Sequence, residues 1–277
     1  MEVRITTLSE NTASLGFLAE WGLSMLVETE GLKVLFDTGA GIAAVHNAQL
    51  MGVDLSAVDR IVLSHGHYDH TGGLREVLRR AGRKEVIAHP AIWGRKYGQR
   101  KGEPERYIGI PFVREGLEVL GASFILSAEP VKISTNMMTT GEIPMITDYE
   151  DIDSELYVKE GGGQKPDTLP DDLALIIDAE FGLVVILGCA HRGLVNTLRQ
   201  AQKVTGKELI YAAIGGTHLL HASKERLEKT ADALKEMGVQ WLGVSHCTGF
   251  AASAYLEREF GEGFFLNNAG ARFILPF

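Results

Sequence analysis

The sequence has little cysteine and no excess of positive charge. Only Cys189 and Cys247 occur among 277 residues, and two thiols in so long a chain exclude a disulfide-stabilised scaffold. The 36 acidic residues outnumber the 27 basic ones, giving a net charge of -9. A broad basic surface for nucleic acid is therefore not expected, although this total leaves room for a local basic pocket.

Long apolar runs are missing as well. The first residues, Met1–Thr7, lack the basic flank and apolar stretch of a secretory signal, and no uncharged apolar run approaches the length that spans a bilayer. We therefore expect a cytoplasmic protein that does not bind a membrane. With 45% hydrophobic and 23% charged residues, the composition is that of a globular chain long enough to bury a large core.

Short runs rich in Val, Ile and Leu alternate with helical patterns. Strands over Leu23–Glu28 and Leu32–Asp37 form a predicted hairpin that turns at Glu30-Gly31. The second half of the chain, from residue 173 to 245, again shows strands that alternate with helices. Two such halves predict an α/β fold of four layers, in which sheet packs on sheet and the helices lie outside.

A less regular stretch from about residue 90 to 170 separates the two halves. It carries most of the proline and the cluster Gly161-Gly162-Gly163. An irregular segment of this length within a compact domain usually serves as a functional cover. We therefore expect one domain over residues 1–277, with a lid or capping insertion at about 90–170.

The densest group of metal-binding side chains directly follows a predicted strand. His65, His67, Asp69 and His70 place three imidazoles and one carboxylate within six residues. These groups are the donors that zinc, iron and manganese accept. We expect His65 and His67 to face one ion and Asp69 and His70 to face another. A polar loop that only forms hydrogen bonds is the alternative, and this density of imidazoles disfavours it.

The pattern His65-x-His67-x-Asp69-His70 after a strand resembles the signature of the metallo-β-lactamase superfamily. The upstream Leu35-Phe36-Asp37-Thr38-Gly39 is similar to an early strand and turn of that superfamily. This similarity implies that Asp37 supports the metal loop by contacting the ligands and does not itself bind the ion. Oxygen reduction is disfavoured, because His67 stands where flavodiiron members carry Glu. The resemblance implies an αββα sandwich and two divalent ions, with zinc ranked before manganese or iron.

Five further motifs fall in order along nearly the whole chain. They are Gly22-Leu23-Ser24, Gly141-Glu142-Ile143-Pro144, Gly188-Cys189-Ala190-His191, Gly215-Gly216-Thr217-His218-Leu219 and Ser245-His246-Cys247-Thr248-Gly249. Together they resemble the branch of dihydropterin-aminobenzene-phosphate synthase-like proteins. Trp21 departs from the pattern of that branch, which places His before the first motif.

The resemblance also implies the remaining ligands. His191 would be the third ligand of the first ion, and His246 the last ligand of the second. Cys189 stands where many members carry a bridging Asp, so it is either a thiolate ligand or a residue that only lines the site. His218 is either a further ligand or a donor to the leaving group. Asp69 would be catalytic with His218, orienting the attacking water or accepting its proton.

Basic residues in the insertion are interleaved with aromatic ones. Arg95, Lys96 and Arg100 lie close in sequence to Trp93 and Tyr97. Charge runs are usually solvated surface, and that interpretation is favoured here. The alternative is a clamp in which Arg95, Lys96 and Arg100 bind an anionic, ring-bearing substrate.

These features predict a metal-dependent hydrolase in which water activated between two ions attacks a small phosphoester or related ester-like substrate. One alternative, suggested only by the branch resemblance, is a transferase that joins a pterin to an aminobenzene ribose phosphate. The other is a metal-binding regulatory protein without turnover. The oligomeric state is left open.

Overall fold

The computed structural model describes residues 1–276, so the last residue of the predicted domain, Phe277, lies outside the described part. The strands are β1 (Val3–Ser9), β2 (Ser24–Thr29), β3 (Leu32–Phe36), β4 (Arg60–Val62), β5 (Lys84–Ala88), β6 (Lys96–Gly98), β7 (Arg106–Tyr107), β8 (Ala122–Leu126), β9 (Met137–Thr139), β10 (Leu156–Glu160), β11 (Gly163–Pro166), β12 (Ala174–Ala179), β13 (Gly182–Leu187), β14 (Ile210–Gly216), β15 (Trp241–Ser245), β16 (Phe264–Leu266) and β17 (Arg272–Leu275). The α-helices are α1 (Ala43–Leu50), α2 (Tyr68–Thr71), α3 (Leu74–Ala81), α4 (Arg114–Val119), α5 (Leu194–Thr205), α6 (Lys224–Glu236) and α7 (Phe250–Phe260).

Two large mixed sheets form the centre of the fold. The first has seven strands in the order β17-β1-β2-β3-β4-β5-β8, and the second has six in the order β16-β15-β14-β13-β12-β9. The predicted hairpin is present: β2 and β3 pair antiparallel up to Thr29 and Leu32, enclosing the turn at Glu30 and Gly31. Strands β3, β4 and β5 run parallel in one sheet, as do β13, β14 and β15 in the other.

Side chains of each strand alternate between two layers of core, because successive residues of a strand point to opposite faces. In β3, Val34 and Phe36 pack between the two sheets, whereas Leu35 joins a cluster with residues of α1 and α3. In β13, Val184 packs between the sheets and Val185 joins residues of α5 and α6. The predicted four-layer αββα sandwich is confirmed.

The stretch predicted as an irregular insertion contains regular elements of both main sheets. Strand β8 is an edge of the first sheet and β9 an edge of the second. The remaining strands of this stretch form a separate four-stranded sheet in the order β11-β10-β6-β7. The sequence pattern missed these strands because edge strands are short and only partly buried, which weakens their alternation.

Among residues 1–276, no helix combines the length and the apolar composition that crossing a bilayer requires. Both cysteines are buried and free.

Candidate metal centre

The predicted ligands follow the carboxyl ends of parallel strands in both sheets. In the first sheet, Asp37 comes directly after β3, and the loop that begins at Ser64 comes shortly after β4. In the second sheet, Cys189, His218 and His246 come after β13, β14 and β15. Open α/β sheets bind ligands at this edge. The sandwich therefore brings the two halves of the chain together at one site.

The backbone at these strand ends is unusual. Four residues that are not glycine adopt the left-handed conformation there, which costs free energy for a residue with a side chain and is concentrated at functional sites in proteins. They are Asp37, Ala190, His218 and His246, with φ angles of 58°, 54°, 53° and 54°.

Three buried imidazoles converge to form a first donor group. The Nε2 atom of His65 lies 3.0 Å from Nδ1 of His67 and 3.2 Å from Nε2 of His191. Burial lowers the pKa of His67 to about 3, and it lowers the pKa values of His65 and His191 well below the ordinary range. Neutral rings with converging nitrogens suit a cation, since a tetrahedral zinc ion holds two nitrogens about 3.3 Å apart.

Asp37 supports the loop through a completely buried network. Its carboxylate accepts hydrogen bonds from the Ser64 backbone N–H and hydroxyl, both at 2.7 Å. Because the Ser64 hydroxyl donates to Asp37, its oxygen accepts from Nδ1–H of His65 at 2.9 Å. That arrangement leaves the lone pair of His65 on Nε2, facing the other two imidazoles.

Asp69, His70 and His246 form a second donor group. The Nε2 atom of His246 lies 3.3 Å from Nε2 of His70 and 3.4 Å from a carboxylate oxygen of Asp69. The Oδ1 atom of Asn11 accepts from Nδ1 of His246 at 2.8 Å, which leaves a lone pair on Nε2 of His246. This group therefore also presents donors to a cation.

His70 binds a proton more tightly than the three imidazoles of the first donor group. Burial alone would lower its pKa, but Asp37, whose Oδ2 atom is 2.6 Å from Nδ1, raises the pKa of His70 to about 9. A metal ion at this group would therefore compete with a proton on Nε2 of His70, and its binding at neutral pH would release that proton.

Cys189 lies between the two groups. Its Sγ atom shares one donor group with His65 and His191 and another with His70 and His246, the atoms of each group lying within 4.8 Å of one another. The Sγ atom is 3.1 Å from Nε2 of His70. Burial raises the pKa of the Cys189 thiol, and an adjacent cation lowers it again. The donor chemistry thus fits metal ions in both groups.

His218 contacts this centre and pairs with a residue that no sequence motif indicated. Its ring centroid is 4.1 Å from that of His191, and its Nε2 atom is 3.0 Å from a carboxylate oxygen of Asp153. Burial alone would lower the pKa of His218, but the hydrogen bond with Asp153 raises it to about 10. Asp153 lies in the irregular stretch without a surrounding motif, so no sequence signal marked it.

His246 is held by two further residues that no motif indicated. Its backbone N–H donates to Glu10 at 2.6 Å, and its carbonyl accepts from the Asn11 side-chain amide at 3.1 Å. Both partners lie 235 or 236 residues away along the chain, which is why inspection of local patterns does not find them.

For Lys96, both predictions for the basic segment, a solvated surface and a clamp for an anionic substrate, are wrong. Lys96 is only 1% exposed, and its Nζ atom lies 2.8 Å from the carboxylates of both Asp167 and Asp171. It is therefore neither solvated surface nor free to bind an anion. Asp171 also accepts the Gly66 backbone N–H at 2.8 Å, so the small sheet is joined to the metal loop between His65 and His67.

The other basic residues of this segment are exposed. Arg95 donates to the Tyr97 hydroxyl at 3.1 Å, and Arg100 lies 3.6 Å from Glu155. Arg95 also lines a cavity of about 440 Å³ together with Trp93, further basic side chains from β10 and β11, and the acidic side chains Glu160 and Asp167.

The family of the chain follows from comparison with known proteins. The family model of the metallo-beta-lactamase superfamily matches residues 22–246. The chain belongs to this superfamily of metal-binding enzymes, in agreement with the fold and the two donor groups.

Comparison with individual proteins gives more detail than the family model. A curated protein of Methanocaldococcus jannaschii named 7,8-dihydropterin-6-methyl-4-(beta-D-ribofuranosyl)-aminobenzene-5'-phosphate synthase is 35% identical, over 97% of this chain and 95% of that protein. The crystal structure of Tm1679, described as a metal-dependent hydrolase of the beta-lactamase superfamily, is 30% identical, with a TM-score of 0.85 and 98% of each chain covered. A diphosphatase of the PhnP family shares the fold, with a TM-score of 0.54 at 13% identity, covering 99% of this chain and 98% of that one.

Proposed function

We propose that the protein is a hydrolase with two divalent metal ions, zinc ranked first, that acts on a small phosphorylated substrate. The observation that carries this proposal is that Cys189 shares one donor group with His65 and His191 and another with His70 and His246. Two ions in such a centre activate water as a nucleophile and stabilise the charge of a phosphoryl group. The proposed ligands are His65, His67 and His191 for one ion, Asp69, His70 and His246 for the other, and Cys189 between them.

Asp69 is proposed to orient the attacking water rather than to take its proton. Burial alone would raise its pKa, but the adjacent imidazoles of His246, His70 and His67 hold the pKa of Asp69 well below the ordinary range. So weakly basic a carboxylate is a poor proton acceptor near neutral pH. It remains a strong hydrogen-bond acceptor, which suits it to position a water molecule.

His218 is proposed to act on the substrate. With a pKa of about 10, the ring carries a proton on both nitrogens at neutral pH. One N–H donates to Asp153 at 3.0 Å, whereas Nδ1 is buried, forms no hydrogen bond of normal geometry and has the Cys247 thiol nearby. The second N–H is therefore left for an oxygen of the substrate or leaving group.

A phosphorylated substrate is supported by charge. Two cations in the centre would favour an anion, and Arg95 lines the cavity beside Trp93. Lys159 and Lys165 line it as well, but they pair with Glu105 and Glu160, so Arg95 is the cation left to bind a phosphate. In this proposal Arg95 contributes to substrate binding, while the buried Lys96 only joins the small sheet to the metal loop.

The test uses the full chain loaded with zinc or manganese and a panel of phosphodiesters, phosphomonoesters and lactones. We expect turnover by the wild type and a loss of at least about a hundredfold in His67→Ala, because removal of a ligand disrupts the centre. His46→Ala is the matched control, since His46 is exposed on α1. No turnover by the loaded wild type, or full turnover by His67→Ala, contradicts the proposal.

A synthase reaction is the second candidate, supported by the 35% identical relative. Such an enzyme would join an aminobenzene ribofuranosyl phosphate to a dihydropterin that carries a leaving group, such as diphosphate, on its 6-methyl carbon. The aromatic amine would take the place of water as the nucleophile and displace that group. Supplying both compounds to the loaded protein and analysing the products by mass spectrometry distinguishes the two reactions. A joined product supports the synthase, whereas hydrolysed substrate alone supports the hydrolase.

A further inference from the structure

A cavity of about 410 Å³ is lined by His246 and by the amino-terminal part of α7. One wall is the segment that follows β1, and the other is formed by α7 and the ends of β15 and β16. Its volume is within the range of small-molecule sites in proteins. We refer to it as the ring cavity. The residues that matter most for its chemistry are Glu10, Trp21, Ser245, Phe250 and Glu257.

The walls of the ring cavity are apolar and partly aromatic. Phe250 is 90% exposed and Trp21 is 48% exposed, and Leu220 and Leu266 add two further exposed apolar side chains. Large apolar side chains exposed together usually mark a binding site. Trp21 presents a broad ring whose centroid is 5.1 Å from that of His246. A planar ligand between Trp21 and Phe250 would therefore reach a residue of the metal centre.

The polar groups of the ring cavity indicate the chemistry of its ligand. The Ser245 side chain lines the cavity, is 5% exposed and has a hydroxyl oxygen without a hydrogen-bond partner. A buried hydroxyl in this state calls for a partner that the protein itself does not provide. The lining includes the carboxylates of Glu10 and Glu257 but no lysine or arginine. Glu10 already accepts hydrogen bonds from His246 and Thr12, so Glu257 is the carboxylate left to repel an anion and to accept an N–H of a neutral ring.

We propose that the ring cavity binds the uncharged, N–H-bearing aromatic ring of the substrate, stacked between Trp21 and Phe250 and hydrogen-bonded to Ser245. The phosphate of the same molecule lies outside the cavity, towards the two donor groups. This inference rests on the proposed function for the phosphate but not for the ring. It separates recognition of the ring from the chemistry at the metal centre.

Equilibrium binding tests the ring site without any turnover. The probe is pterin, a neutral ring with N–H donors and no phosphate, titrated into the zinc-loaded full chain in a calorimeter. Stacking on an aromatic side chain predicts that Phe250→Ala and Trp21→Ala each weaken binding by about tenfold. Val113→Ala is the matched control, because Val113 is 69% exposed and does not line the ring cavity.

Ser245→Ala tests the hydrogen bond and is expected to weaken binding by about fivefold. Circular dichroism and zinc content establish that each variant is folded and loaded. No binding of pterin by the wild type at millimolar concentration overturns the proposal. Equal affinity in the wild type, Phe250→Ala and Trp21→Ala also overturns it.

Kinetics separate this inference from the proposed function. With 4-aminophenyl phosphate as substrate, Phe250→Ala should raise KM by about tenfold and leave kcat unchanged; with ethyl phosphate it should change neither. Hydrolysis of both compounds without any effect of Phe250→Ala overturns the ring site while the hydrolase stands. Binding of pterin that depends on Phe250, without hydrolysis of either ester, supports the ring site and contradicts the hydrolase.

Discussion

Replacement of Lys96 by methionine is expected to destabilise the protein strongly. The Lys96 ammonium is the shared partner of Asp167 and Asp171, with both distances at 2.8 Å and all three side chains at most 3% exposed. Methionine fills a similar volume but leaves two buried carboxylates without their cation. Breaking a buried pair by removing one partner costs about 3–5 kcal/mol of the free energy of unfolding.

The pH dependence of this effect follows from the pKa of Lys96. Burial alone would lower it, but the carboxylates of Asp171 and Asp167 raise it above the ordinary 10.5. A base whose pKa is raised by folding contributes stability that is complete below the unfolded value and is lost as the pH rises through the folded value. The difference between wild type and Lys96→Met should therefore be constant from about pH 6 to 9 and decrease only above about 10.5.

Urea unfolding of the metal-free proteins measures this difference. Lys159→Met is the matched control, because Lys159 pairs with Glu105 at a side-chain exposure of 36%, and exposed pairs contribute about 0–1 kcal/mol. Since Asp171 also holds the Gly66 backbone, Lys96→Met should in addition weaken zinc binding in a chelator competition. A loss of stability no larger than that of Lys159→Met would contradict a stabilising role of Lys96 between the two carboxylates.

Three further substitutions probe the centre itself. In Gly66→Ala the new Cβ would clash with the Ile92 carbonyl oxygen, so the loop must shift. Zinc affinity measured against a chelator should then fall by about tenfold. Unchanged affinity would show that the loop tolerates the movement. Asp153→Asn removes the carboxylate that raises the pKa of His218, so an NMR titration should show this pKa falling below 10, and an unchanged value would contradict the pairing. Cys189→Ser replaces a thiolate by a weaker ligand and should reduce zinc affinity by about tenfold or more; equal affinity and stoichiometry would mean that Cys189 only lines the site.

The residues of the centre that could be predicted are those that lie close together in the sequence. His65, His67, Asp69 and His70 stand within six residues, so their convergence needs only a strand followed by a tight turn. His191 and His246 were indicated by resemblance, and the sandwich explains their position, because β13 and β15 end at the same edge as β4. Asn11 and Asp153 were missed, since each meets its histidine across a sequence separation of 65 residues or more.

Local patterns in the chain were enough to predict the strands with strong alternation, the αββα layers they form and the dense group of candidate ligands after β4. The tertiary structure alone decided which isolated polar residues are buried and paired. Lys96 stands in a basic run that is typical of solvated surface, yet the fold encloses it between two carboxylates. Burial and charge pairing arise from distant segments in contact, and such contacts leave no periodic pattern in the chain.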